Sequence, residues 1–221
     1  MTEPEGPAVD PLAVIAAANG AMLVIVSGPS GVGKDTILDA LKRRSHDPEY
    51  HYVVTCTTRA RRPGEVDGVD YHFLDRAMFA TQRAAGGFLE SNKVHGNWYG
   101  TPRGQVREAL DAGRDVILKI DVQGAQVVKE KIPGALLIFL IPPSLEDLFQ
   151  RLRSRATETA DELELRQRNA AIELARQEDY DYVVTNETGQ VERTAARIDQ
   201  IVADEHRAHP DRQVVVYPRS P

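Results

Sequence analysis

Only one cysteine, Cys56, occurs in 221 residues. No disulfide can form within the chain, and a reducing compartment such as the cytoplasm fits. There is no basic excess either: 27 lysines and arginines against 33 aspartates and glutamates leave a net charge of −6. That balance disfavours general binding to nucleic acid polymers, so any anionic ligand must be met by locally clustered arginines. No apolar run is long enough to cross a bilayer, because the best candidate, residues 12–26, is broken at Asn19-Gly20. The first ten residues are acidic and proline-rich, without the positive start of a secretory signal or the arginines of many transit peptides. Internal repeats and low-complexity blocks are absent too. These absences point to a cytoplasmic chain with no membrane role. The remainder is ordinary for a globular protein, 42% hydrophobic and 27% charged, and long enough for one compact domain with small inserted lobes.

Apolar runs at 22–27, 52–55, 116–121, 136–141 and 182–185 have the length and residue types of buried strands. Helical patterns fall at 36–44, 103–112, 123–131, 145–153 and 163–176, with Gly113 and Pro142-Pro143 as stops. Their alternation predicts an α/β fold in three layers, a parallel sheet covered by helices on both faces. Two stretches break the rhythm. Residues 57–101 hold short alternating apolar pieces and six glycines, which predicts a small, mostly β insertion. Residues 151–168 are rich in arginine and polar side chains, which predicts a helical flap.

The first chemical motif is Gly28-Pro29-Ser30-Gly31-Val32-Gly33-Lys34, between a predicted strand and a predicted helix. Glycines there allow positive φ, so successive backbone N–H groups turn inward around an anion. The following helix adds its positive dipole end, and Lys34 adds a full charge for the transferred phosphate. With strand, spacing and lysine together, this reads as the phosphate loop of a P-loop nucleoside triphosphate enzyme and not as a plain glycine turn. One position departs from the motif: the magnesium-ligating Ser or Thr is replaced by Asp35. Thr36 comes one place late, about 100° further around the helix.

A second cluster runs from Thr55 to Tyr71 and puts Arg59, Arg61 and Arg62 around a turn. Arginine forks bind phosphate oxygens in bidentate fashion, and Tyr71 adds a hydroxyl donor. Beyond it come Glu90 in an apolar setting, Gly96-Asn97-Trp98-Tyr99-Gly100-Thr101, and Asp121 at the end of an apolar run. Taken singly, the tyrosines suit a core, and the arginines and Glu90 suit a solvated surface.

In order and spacing these pieces resemble the guanylate kinase family over nearly all of residues 24–187. The resemblance also takes in Ile120-Asp121-Val122-Gln123-Gly124-Ala125 and Pro142-Pro143-Ser144. It implies a P-loop fold with a domain at 21–208, made of a core (21–54, 102–150 and 170–208), a GMP-binding insertion (55–101) and a lid (151–169). Residues 1–20 and 209–221 are then terminal extensions. It further implies that residues 28–36 hold ATP, with Asn186 near the adenine. Arg59, Arg62, Tyr71 and Tyr99 hold the GMP phosphate, while Thr55, Glu90, Thr101 and Asp121 face the guanine. Lys34, Arg155, Arg166 and, less directly, Arg151 are the implied catalytic cations. The chemistry agrees: a carboxylate accepts from both N1–H and N2–H of guanine, whereas adenine offers no N1 donor.

The family usually reads Asp-Ile-Asp where this chain has Lys119-Ile120-Asp121. Residues two apart on a strand share a face, so Lys119 is expected to meet Asp35, which then reaches Mg²⁺ directly or through water. The expected reaction is Mg²⁺-dependent transfer of the ATP γ-phosphate to GMP by a monomer or homodimer, with those two nucleotides as the partners. Open beside it are a ribose bisphosphate kinase on the same fold and a non-catalytic guanylate-kinase-like binding module. A small GTPase is disfavoured, since no Asn-Lys-x-Asp sequence occurs. The run Gln213 to Tyr217 suits an extra strand or a partner contact.

Overall fold

The computed structural model describes residues 15–16, 20–44, 49–94, 96–153, 160–212 and 214–216. In chain order the strands are β1 (Ile15–Ala16), β2 (Leu23–Ser27), β3 (His51–Tyr52), β4 (Cys56–Thr57), β5 (His72–Phe73), β6 (Phe88–Val94), β7 (Asn97–Pro102), β8 (Val116–Lys119), β9 (Leu136–Ile141), β10 (Tyr182–Thr185) and β11 (Val215–Val216). The helices are α1 (Lys34–Arg43), α2 (Arg76–Ala84), α3 (Arg103–Asp111), α4 (Val122–Lys131), α5 (Leu145–Arg153), α6 (Ala160–Leu174) and α7 (Val191–Ala208). The central sheet has the order β10-β9-β2-β8-β3 and is parallel throughout. Its middle strand, β2, is buried at all five positions, which is why it reads as an unbroken apolar run.

One face of this sheet packs Val24, Val26, Ile138 and Leu140 against Ile37, Leu41, Ile198 and Val202 of α1 and α7. The other packs Leu23, Ile25, Leu118 and Leu137 against Val106, Leu110, Ala125 and Val128 of α3 and α4. The three layers expected from the alternating pattern are therefore present. The insertion has its own four-stranded sheet, β5-β4-β7-β6, and its own small core of Cys56, Phe79 and Phe88, with Leu74 and Trp98 against it. β1 and β11 pair antiparallel, so within 213–217 the extra strand is present at Val215–Val216.

Several boundaries differ from the sequence pattern, for local reasons. The strand expected at 52–55 stops after Tyr52, because the Gln105 amide takes both backbone groups of Val54. The strand expected to reach 121 ends at Lys119, and Asp121 turns out to cap α4 by accepting from Gly124 N–H at 2.7 Å. The helix expected at 163–176 starts at Ala160 and tightens into a 3₁₀ turn over Ala175–Asp179. Within the insertion, Asp75 accepts from Met78 N–H at 2.7 Å and starts α2, a helix the β-like reading of that stretch lacked.

Candidate functional site

A cleft of about 370 Å³ lies where the C-terminal ends of β2 and β8 face the insertion. One wall is the loop from Gly28 to Lys34. Gly28, Gly31 and Gly33 have φ of 145°, 85° and 101°, the region that favours glycine. Gly28 has a second constraint: a Cβ there would stand 2.4 Å from the Leu140 carbonyl oxygen. The loop is braced from outside the cleft. The Val32 carbonyl accepts from the Asn186 amide at 2.8 Å and from Arg151 Nη1 at 3.1 Å. Arg151 also donates to Asn186 O and Thr188 Oγ1.

Inside the cleft, Lys34 Nζ donates to the carbonyls of Gly28 and Pro29, at 2.6 and 3.1 Å. Loss of hydration holds its pKa below the ordinary lysine range, an effect that the charges of Glu173, Asp35 and Asp121 oppose. Ser30 is held twice by α6: its N–H donates to Glu173 Oε2 at 3.1 Å, and its hydroxyl accepts from Arg166 Nη2 at 2.8 Å. Arg166 and Glu173 are seven residues apart, two helical turns, and so share a face.

Between this wall and the insertion, Lys119 Nζ donates to Asp35 Oδ1 and stands 5.0 Å from the centre of the Tyr71 ring. Burial alone would lower the Lys119 pKa, but Tyr71 and Asp35 outweigh it and hold the ammonium above its ordinary range. The meeting of Lys119 with Asp35 that the sequence pattern suggested is thus present.

The opposite wall carries Arg59, Arg62, Tyr71 and Tyr99. Arg59 pairs with Glu65 at 2.7 Å and lies over the Tyr71 ring, 5.5 Å from its centre, and the Tyr71 and Tyr99 rings meet edge to face at 6.1 Å. Arg62 is exposed at the rim. Deeper in are Thr55, Glu90 and Asp121. Glu90 is 4% exposed, and burial pushes its pKa up to about 7 against the hydrogen bond from Thr101.

Of the residues picked out by sequence, the cleft gathers Gly28, Ser30, Gly31, Gly33, Lys34, Asp35, Thr55, Arg59, Arg62, Tyr71, Glu90, Tyr99, Asp121 and Arg166. Thr101 stands just behind Glu90 and donates to it. Pro29, Val32, Thr36, Arg151 and Asn186 do not line it; Arg151 and Asn186 serve the loop from behind, and Thr36 is exposed. Arg155 lies outside the described residues. Sequence reasoning missed Asn92, two residues from Glu90 on the same strand face, and Glu173, two helical turns from Arg166. The periods of strand and helix were the available signals.

The guanylate kinase family model matches residues 20–205. A guanylate kinase of Latilactobacillus sakei subsp. sakei (strain 23K) is 43% identical over 188 residues, 85% of this chain and 91% of that one. One from Symbiobacterium thermophilum is 47% identical over 166 residues, 75% of this chain and 78% of that one. Among solved structures, the crystal structure of guanylate kinase from Anaplasma phagocytophilum superposes with a TM-score of 0.70 at 34% identity, over 90% of this chain and 92% of that one.

Proposed function

The chain belongs to the guanylate kinase family, and we propose that its cleft moves the γ-phosphate of ATP onto GMP, giving ADP and GDP. The observation that carries this reading is one cleft with a phosphate loop and Lys34 at one end and, at the other, arginines, two tyrosines and a buried carboxylate. The first set suits a triphosphate, and the second suits a phosphate joined to a base with adjacent N–H donors.

The attacking group is a phosphate oxygen of GMP, already ionised near neutral pH, so no general base is needed. Catalysis is then positioning and charge neutralisation. Lys34 leaves the carbonyls of Gly28 and Pro29 for the donor phosphates, and the loop N–H groups complete their cradle. Arg59 and Arg62, with the hydroxyls of Tyr71 and Tyr99, aim the acceptor phosphate. Arg166 shifts from Ser30 onto the transferring group, and Arg155 joins it in the family pattern. Water is kept away, which protects ATP from hydrolysis. Glu90 and Asp121 receive the guanine N–H groups, with Thr55 and Thr101 beside them. Arg151 and Asn186 act as braces of the loop, and residues 55–101 and 151–169 act as acceptor-binding insertion and lid on the core.

Asp35 suits Mg²⁺, because a magnesium ion in such sites needs only one or two carboxylates besides phosphate oxygens and water. Its carboxylate is 66% exposed at the start of α1 and is steadied by Lys119. Asp35 would hold Mg²⁺, and the ion would supply charge neutralisation to the ATP phosphates. Buried Cys56 and the single-cysteine composition suit a cytoplasmic setting. Among the described residues no helix is long and apolar enough to cross a membrane.

A coupled assay for ADP formation, with ATP, Mg²⁺ and one acceptor at a time (GMP, AMP, CMP, UMP or ribose 1,5-bisphosphate), tests the reading. Strong turnover with GMP alone is expected. Turnover with the sugar phosphate alone would overturn the base pocket, and GMP binding without turnover would favour a binding module.

A further inference from the structure

Glu90 and Asn92 are two apart on β6, and both line the cleft. Each carboxylate oxygen of Glu90 already has one donor. Oε1 accepts from the Thr101 hydroxyl at 2.6 Å, and Oε2 accepts from the Asn92 side-chain amide at 2.9 Å. The backbone of α4 closes on the same pair from behind. A Cβ at Gly124 would stand 3.2 Å from Glu90 Oε2 and 3.4 Å from Asn92 Nδ2. Gly124 in turn is held by Asp121, whose side chain accepts its N–H. A carboxylate with one donor on each oxygen and a helix backbone against it has little rotational freedom about its last bond.

We propose that Asn92 is a specificity-determining positioning residue for the acceptor base. With Thr101 on one oxygen and Asn92 on the other, the Glu90 carboxylate is fixed in its plane, and each oxygen keeps an outward lone pair. Two lone pairs side by side fit two adjacent N–H donors, the pattern of N1 and N2 in guanine. Without Asn92 the carboxylate swings about Thr101 and meets one donor well and the other poorly. This inference rests on the reading of the cleft as a GMP site.

The charged groups that bear on Glu90 are Asp121, which disfavours its ionisation, and Lys131, which favours it. Burial is the largest influence and raises the pKa; the bonds from Thr101 and Asn92 lower it. Removing the Asn92 amide therefore moves Glu90 further up, towards the neutral acid, which presents a hydroxyl to a guanine N–H.

The experiment compares the parent with Asn92→Ala and with Asn92→Asp, which keeps the shape but sets an acceptor against Oε2. For each, kcat and KM are measured from pH 5.5 to 8.5 with GMP and with inosine monophosphate, which lacks the 2-amino group. Thermal melts check folding. Asn92→Ala is expected to raise KM for GMP about 10-fold at pH 7, the usual scale for a hydrogen bond to a charged group. The kcat and the KM for ATP should stay near parental values. The acid limb of kcat/KM for GMP should move to higher pH, and the preference for GMP over inosine monophosphate should shrink. Asn92→Asp should raise KM for GMP further. If both variants fold and keep the parental KM, acid limb and preference, Asn92 only supports β6 and the inference is overturned. A parent that rejects GMP but phosphorylates another acceptor would overturn the functional reading, and this inference with it.

Discussion

Glu90 keeps its proton to about pH 7 in the folded chain, whereas an unburied glutamate releases it near 4.5. Between those values the folded state binds more protons than the unfolded one, so stability falls as pH rises through the window. Glu90→Gln should therefore melt higher than the parent at pH 8 and about equally at pH 4, as a thermal melt at the two pH values would show. Activity moves the other way. The kcat/KM for GMP should climb as pH passes 7, because only the carboxylate accepts from both guanine N–H groups. GMP itself ionises near pH 6, so a profile measured on Glu90→Gln should keep that lower limb and lose the upper one. Lys119 admits a separate test. Lys119→Asp exchanges a cation beside Asp35 for a second carboxylate, so half-saturating Mg²⁺ should fall several-fold while kcat drops. Unchanged values in a Mg²⁺ titration would rule out a role for the pair in holding the metal.

Among the elements, those with unbroken apolar runs were legible in the sequence: β9 and β10 begin and end where the pattern puts them, and α5 does too. The phosphate loop was legible because its glycines and lysine have one physical use in that order. What the sequence hid were interactions between distant segments. The Gln105 amide that ends β3 is 51 residues from its target, and no local pattern reports it. α2 was obscured by the glycines around it, although Asp75 was a readable cap. The cleft residues were named from motif order, yet which of them brace the loop from behind required the fold: Asn186 and Arg151 reach Val32 across 154 and 119 residues. The loop itself carries a sharp prediction. At Gly28 both φ and the 2.4 Å approach to Leu140 O forbid a side chain. Gly28→Ala should cost at least about 2 kcal/mol of stability in a denaturant melt and should abolish ATP binding. Gly64, at φ 86° with nothing within 4 Å, should tolerate the same change with a smaller loss.

For the molecule as a whole, the two faces of the central sheet and the insertion hold three separate apolar clusters. The third is a short stack: Phe79 lies against Phe88 at 4.5 Å and against Trp98 at 5.9 Å, with the Arg83 guanidinium over the Trp98 ring. Gly100 is pinned between Phe79 and Phe88, next to Tyr99 and Thr101. The part of the wall around Tyr99 and Gly100 is therefore built on a core of its own, while Leu89, beside Glu90, is buried in the second cluster of the central sheet. In the language of local unfolding, the insertion is a candidate foldon that opens without melting the central sheet. Amides of β6 and β7 should exchange with deuterium sooner than those of β2 and β9, and GMP should slow the first set far more than the second. Phe79→Ala then becomes an uncoupling lesion: the chain would still grip its donor nucleotide while losing its acceptor, so the two substrates act as probes of two separately melting bodies.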